Sequence, residues 1–109
     1  MVLNNLFGDI PAQLPEELLQ TLFSGAKGFR VERIVSRGHA SPEGFWYEQD
    51  EAEWVLLLSG AAELEYQDPP RRLRLEPGDC VAIAPRQRHR VAWTAPERDS
   101  VWLAVFYEK

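Results

Sequence analysis

From residue 29 onward, apolar residues recur at every second position in short runs, and glycine, proline or aspartate closes most runs. A period of two is the strand period, because successive side chains of an extended chain point to opposite faces. The runs cover residues 29–35, 45–49, 53–59, 62–66, 72–75, 80–84, 89–94 and 101–107. Short strands with regular turn signals predict an all-β antiparallel sandwich or barrel. The run Trp54-Val55-Leu56-Leu57-Leu58 is apolar throughout and predicts a strand buried on both faces.

Residues 15–23 show a different spacing. Leu14, Leu18, Leu19 and Leu22 form a stripe at helical intervals, Pro15 suits a first turn, and Glu16 and Glu17 would complement the positive end of the dipole. A short N-terminal helix is expected there. The chain then divides into an N-terminal segment, 1–28, packing on a barrel or a partner, and a β-barrel, 29–109. Val2-Leu3 and Leu6-Phe7 are candidate docking residues.

Composition narrows the function. A chain of 109 residues allows one domain. Seventeen acidic against twelve basic residues leave a net charge of −5, which argues against nucleic-acid binding as the main task. The single cysteine, Cys80, excludes an internal disulfide and a multi-cysteine metal site, and is expected in the core. Two histidines, His39 and His89, exclude a three-histidine centre within one chain. No apolar run reaches the roughly 20 residues that span a bilayer. The first residues lack a basic and then apolar pattern, so a cytoplasmic protein with no membrane partner is expected.

Three stretches resemble a known superfamily. Glu53, six residues and then Gly60 match the end of the first cupin motif, G-x5-H-x-H-x3–4-E-x6-G. Pro77-Gly78-Asp79, Ile83-Ala84-Pro85 and His89-Arg90-Val91 resemble the second, G-x5-P-x-G-x2-H-x3-N, with the full spacing from Gly78 to His89. The resemblance implies a small single-domain cupin, a jelly-roll barrel of the double-stranded β-helix type. The residue match is incomplete. The two histidine positions of the first motif fall on Tyr47 and Gln49, or on Trp46 and Glu48 in the other register. Ala84, Arg86 and Trp93 stand at the proline, glycine and asparagine positions of the second. Of the four metal ligands the resemblance implies, Glu53 and His89 remain.

Strand alternation groups the candidates. Tyr47 with Gln49, Glu53 with Val55, and His89 with Val91 and Trp93 share faces. If these faces line the barrel, Tyr47, Gln49, Arg86 and Trp93 are candidate ligand-binding residues, and Glu53 and His89 candidate catalytic ones. An aromatic pocket with a few converging polar groups is the usual make-up of a small-molecule site. A divalent ion (Zn, Fe, Mn or Ni) would draw on His89, Glu53, a weak Gln49 carbonyl, and His39 if its loop folds inward. Without a metal, Glu53 and His89 form a hydrogen-bonded pair. Arg86 suits an anionic ligand, or is solvated charge paired with nearby acids.

The leading expectation is a small-molecule-binding cupin with a degenerate or altered metal site. The alternatives are a metal-dependent oxygenase or isomerase acting on a small sugar or organic acid, a metal-free acid–base enzyme using Glu53 and His89, and a partner protein without chemistry. The resemblance also implies a homodimer, paired through strands and the N-terminal segment.

Overall fold

A computed structural model describes residues 4–109; Val2 and Leu3, two of the candidate docking residues, lie outside them. Eight strands follow one another: β1 (Leu18–Ser24), β2 (Arg30–Ser36), β3 (Ala52–Ser59), β4 (Ala62–Tyr66), β5 (Arg71–Leu75), β6 (Cys80–Ile83), β7 (His89–Thr94) and β8 (Ser100–Tyr107). They form a five-stranded sheet of order β1-β2-β8-β3-β6 and a three-stranded sheet of order β5-β4-β7. Every named pairing is antiparallel.

The two sheets face each other across one core. Val55 and Leu57 of β3, Ile83 of β6, and Trp102, Ala104 and Phe106 of β8 meet Leu64 and Tyr66 of β4 and Leu75 of β5. Alternation accounts for this set, because each of these residues occupies the inward phase of its strand. The fold is a jelly roll, with strands close to the positions that the period-two runs predict.

Three expectations are corrected. Residues 15–23 form no helix: the chain bends over Pro15 and Glu16, and β1 then pairs with β2 from Leu18↔Val35 to Ser24↔Arg30. A nine-residue helix is marginal on its own. The open edge of β2 offers a row of backbone partners instead, and tertiary pairing overrides the leucine spacing. Residues 45–49 form no full strand either. They make only an isolated bridge between Tyr47 and His89, because β7 begins only at His89; before it, Arg86 (φ 67°) donates its N–H to Gln49 O (2.7 Å) from an irregular loop. Cys80 is exposed, since it begins β6 at the outer edge of the larger sheet.

The N-terminal segment wraps the outer face of β2. The buried guanidinium of Arg33 donates to the carbonyls of Leu6 (3.1 Å) and Gly8 (2.6 Å) and to Gln20 of β1. Arg37 holds the carbonyls of Ala12 (2.9 Å) and Pro11 (3.2 Å). A buried charge is tolerated only when its donors are satisfied, and here backbone oxygens satisfy them. Ser36 donates to Glu17 (2.6 Å), which places Glu17 at one mouth of the space between the sheets.

Candidate functional site

The bridge between Tyr47 and His89 builds one side of the site. Tyr47 N–H donates to His89 O (2.7 Å) and His89 N–H to Tyr47 O (3.1 Å), and the two rings stack at 5.5 Å. Glu53 enters from β3, beside Ile83 and Phe106. Glu53 and His89 are both buried, with 8% and 5% exposure. The Gln49 side-chain amide donates to Glu53 Oε1 at 2.9 Å. His89 Nε2 stands 3.4 Å from the same oxygen.

The other imidazole nitrogen fixes the tautomer. His89 Nδ1 lies 2.9 Å from Gln87 O. A carbonyl oxygen only accepts, so Nδ1 carries a proton and donates. Nε2 is therefore the nitrogen left to face Glu53. This arrangement can position a hydroxyl or take part in proton transfer.

These groups border a cavity of about 280 Å³ between the sheets. Ile34, Val55, Leu64, Ile83, Val91 and Phe106 supply its apolar wall. Trp102 also lines it, is 4% exposed, and leaves its indole N–H without a hydrogen-bond partner. Leu19, Arg30, Glu32 and Glu17 complete the lining. Arg30 donates to Glu32 (3.0 Å) and to Glu51, and its guanidinium lies 4.0 Å over the Phe106 ring. Burial works against the Arg30 charge, but the two carboxylates outweigh it and raise its pKa. Burial, and then the charges of Glu17 and Glu53, push the Tyr47 hydroxyl above its ordinary value of 10.0.

Four of the residues singled out in the sequence meet here: Tyr47, Gln49, Glu53 and His89. Three do not. Trp93 is turned outward by a bulge in β7: Leu64 pairs with Val91 and Glu63 with Trp93, so Ala92 is the extra residue. One inserted residue reverses every side chain beyond it. Trp93 therefore stands on the outer face, with the Arg74 guanidinium 4.6 Å from its ring centroid. Arg86 donates its backbone N–H to Gln49 O (2.7 Å), but its side chain is exposed and bonded to Asp50 (2.7 Å). His39 accepts a hydrogen bond from Arg37 N–H (2.9 Å). It borders a second cavity with Glu16, Ser41 and Pro42, and Glu17, Tyr47 and Val91 line both cavities.

Sequence reading missed Glu17, Arg30, Glu32 and Trp102. The run Arg30-Val31-Glu32-Arg33 places charge on both phases, so it did not show which face turned inward. Trp102 carried a usable signal, since it alternates with Ala104 and Phe106.

The donor set can be tested against a divalent metal. His89 Nε2 and Glu53 Oε1 are two strong ligands with the second ring nitrogen suitably anchored. Gln49 turns its N–H, a donor, toward Glu53, and His39 is elsewhere. Among the described residues no group of three His, Cys, Asp or Glu side chains could hold an ion. Tightly held zinc has at least three protein ligands. The residues present do not fit a resident metal centre.

A jelly roll with Glu53 and His89 converging inside it defines a class, and comparison with known proteins gives the family. Residues 34–106 match the family model described as a cupin domain, and the chain belongs to the cupin family. A crystal structure of a candidate mannose-6-phosphate isomerase from Ralstonia eutropha JMP134 is 41% identical, with a TM-score of 0.93 and full coverage of both chains. A polyketide cyclase from Streptomyces resistomycificus is similar at 21% identity and a TM-score of 0.70, over 84% of this chain and 65% of that one. A cupin superfamily protein from Desulfitobacterium hafniense is 16% identical, with a TM-score of 0.73 over 92% and 84% of the two chains. These last two likenesses concern the fold. No curated protein matches the chain significantly. No helix among the described residues is long and apolar enough to cross a membrane.

Proposed function

We propose that the protein binds a small molecule between its sheets, in a cupin site that keeps Glu53 and His89 and lacks a full metal-ligand set. The observation that carries this reading is the cavity of about 280 Å³, with an apolar wall and Glu53, His89 and Gln49 grouped on one side. Such a space is close to the lower end of ligand pockets, roughly 300 Å³. Trp102 is the one tryptophan on its wall, so its indole N–H reports occupancy. In nitrogen-labelled protein, fragments that enter the cavity are expected to move the Trp102 indole resonance, assigned with Trp102→Phe, and to leave that of Trp93 in place. A chemically varied fragment set that never moves Trp102 at millimolar concentration would refute the reading.

A second reading, metal-free acid–base catalysis, is favoured by the approach of His89 Nε2 to Glu53. The name of the Ralstonia protein suggests an aldose–ketose isomerisation, which moves a proton between adjacent carbons and needs a base within reach of both. Conversion of mannose 6-phosphate to fructose 6-phosphate that disappears in Glu53→Gln would support it; no conversion by wild type would remove that substrate.

Self-association through β1 belongs to the same proposal. β1 is an edge strand without a charged residue, and Leu19 and Phe23 on it are 59% and 57% exposed. Uncharged, apolar edges invite pairing unless something covers them. A second copy presents the same uncharged strand and completes a two-fold contact.

A further inference from the structure

The charge of the cavity lining restricts what it can hold, and this inference rests on the small-molecule reading above. Three carboxylates, Glu17, Glu32 and Glu53, face one guanidinium, Arg30. Arg30 is already bonded to Glu32 and to Glu51 behind it, so it has no charge left over for an anion. Even with His89 protonated, the lining keeps a negative surplus of one. Desolvating a phosphate or carboxylate against such a wall is costly, because buried charge needs an opposite partner. The surface arginines do not supply one: Arg86 and Arg88 pair with Glu48 and Asp50 on the outside, and Arg90 pairs with Glu65.

The uncharged part of the lining points the same way. Tyr47, Trp102 and Phe106 supply aromatic surface; Arg30 already covers one face of Phe106 and His89 one face of Tyr47, and the remaining aromatic surface attracts cations through its quadrupole. Glu17 and Glu53 line the same cavity as Tyr47 and supply the counter-charge. We propose that the cavity takes a small organic cation with an apolar body, such as a quaternary or substituted amino alcohol, and that it rejects phosphorylated sugars.

Choline and 3,3-dimethyl-1-butanol have nearly the same shape and differ by one positive charge, so they isolate the electrostatic contribution. Calorimetry would give affinities for both and for mannose 6-phosphate, while the Trp102 indole resonance shows whether each enters the cavity. Choline is expected to bind about ten-fold more tightly than the butanol, the scale of one desolvated cation–π or carboxylate contact. Glu17→Gln and Glu53→Gln, made separately, should each reduce choline binding several-fold and leave the butanol unchanged. Two substitutions are used because Glu17 also anchors the N-terminal segment through Ser36. Equal binding of choline and the butanol, or tighter binding of mannose 6-phosphate, would overturn the cation inference while the cavity remained a ligand site. Failure of all three probes to move Trp102 would overturn the inference as well; the broader fragment set then decides whether the cavity binds anything.

Discussion

Replacing Gly60 with alanine should damage the fold far more than the same change at Gly78, although both glycines occupy motif positions. Both have a left-handed backbone, with φ +87° and +96°, so each variant carries about 1–2 kcal/mol of backbone strain. Their surroundings differ. A Cβ at Gly60 would lie 2.3 Å from Ser100 Oγ, 2.5 Å from Ser100 Cα and 2.7 Å from Asp99 O; at Gly78 nothing lies within 4 Å. Two of those three atoms belong to the backbone at the start of β8, so the clash cannot be relieved by a side-chain rotation. Forced shifts of this kind cost about 1–3 kcal/mol. Ser100 Oγ also bonds Ala61 N–H (3.2 Å) and Ala61 O (3.1 Å), and disturbing that buried pair costs about 1 kcal/mol more. The expected loss is about 3–6 kcal/mol for Gly60→Ala and about 1–2 kcal/mol for Gly78→Ala. Against a typical total of about 5–15 kcal/mol, the first is a large share. Urea denaturation measures both, compared at equal m-value. Equal losses, or a Gly60→Ala loss below about 1 kcal/mol, would refute the packing argument.

Two other outcomes are expected. In sedimentation velocity, wild type should run as twice the 12.5 kDa chain and Phe23→Glu as the single chain; a wild type present only as 12.5 kDa would contradict pairing through β1. Alkaline pH should also reveal the environment of Tyr47. Its folded pKa is raised, chiefly by burial and then by Glu17 and Glu53, so the folded state favours the neutral phenol. That contribution is complete below the ordinary value of 10.0 and is lost as pH rises through the folded value. Wild-type stability should therefore fall more steeply than that of Tyr47→Phe above about pH 10, and identical slopes would be evidence against the environment described here.

Period-two runs and the spacing of Glu53, Gly60, Gly78 and His89 carried the jelly roll and the pairing of Glu53 with His89. Those features are local or depend on fixed intervals along a strand, which a sequence displays directly. Trp93 shows where interval reasoning stops. Its phase is correct for an unbroken strand, and the bulge at Ala92 reverses it. Nothing in the triplet Val91-Ala92-Trp93 marks the bulge, because it arises from how β7 meets β4.

The N-terminal region shows a second limit. Leu14, Leu18, Leu19 and Leu22 fit a helix, and the free edge of β2 makes residues 18–24 a strand. His39 and Arg86 were separated from the site by loop paths that no spacing encodes. By itself the sequence determined the strand pattern, the shortage of metal-ligating histidines and the positions of Glu53 and His89. Tertiary structure decided that Arg30, Glu32 and Glu17 face inward with them. Which side of a charged strand is buried depends on what packs against it, and here the N-terminal segment covers the outer face of β2 and leaves the inner one to the cavity.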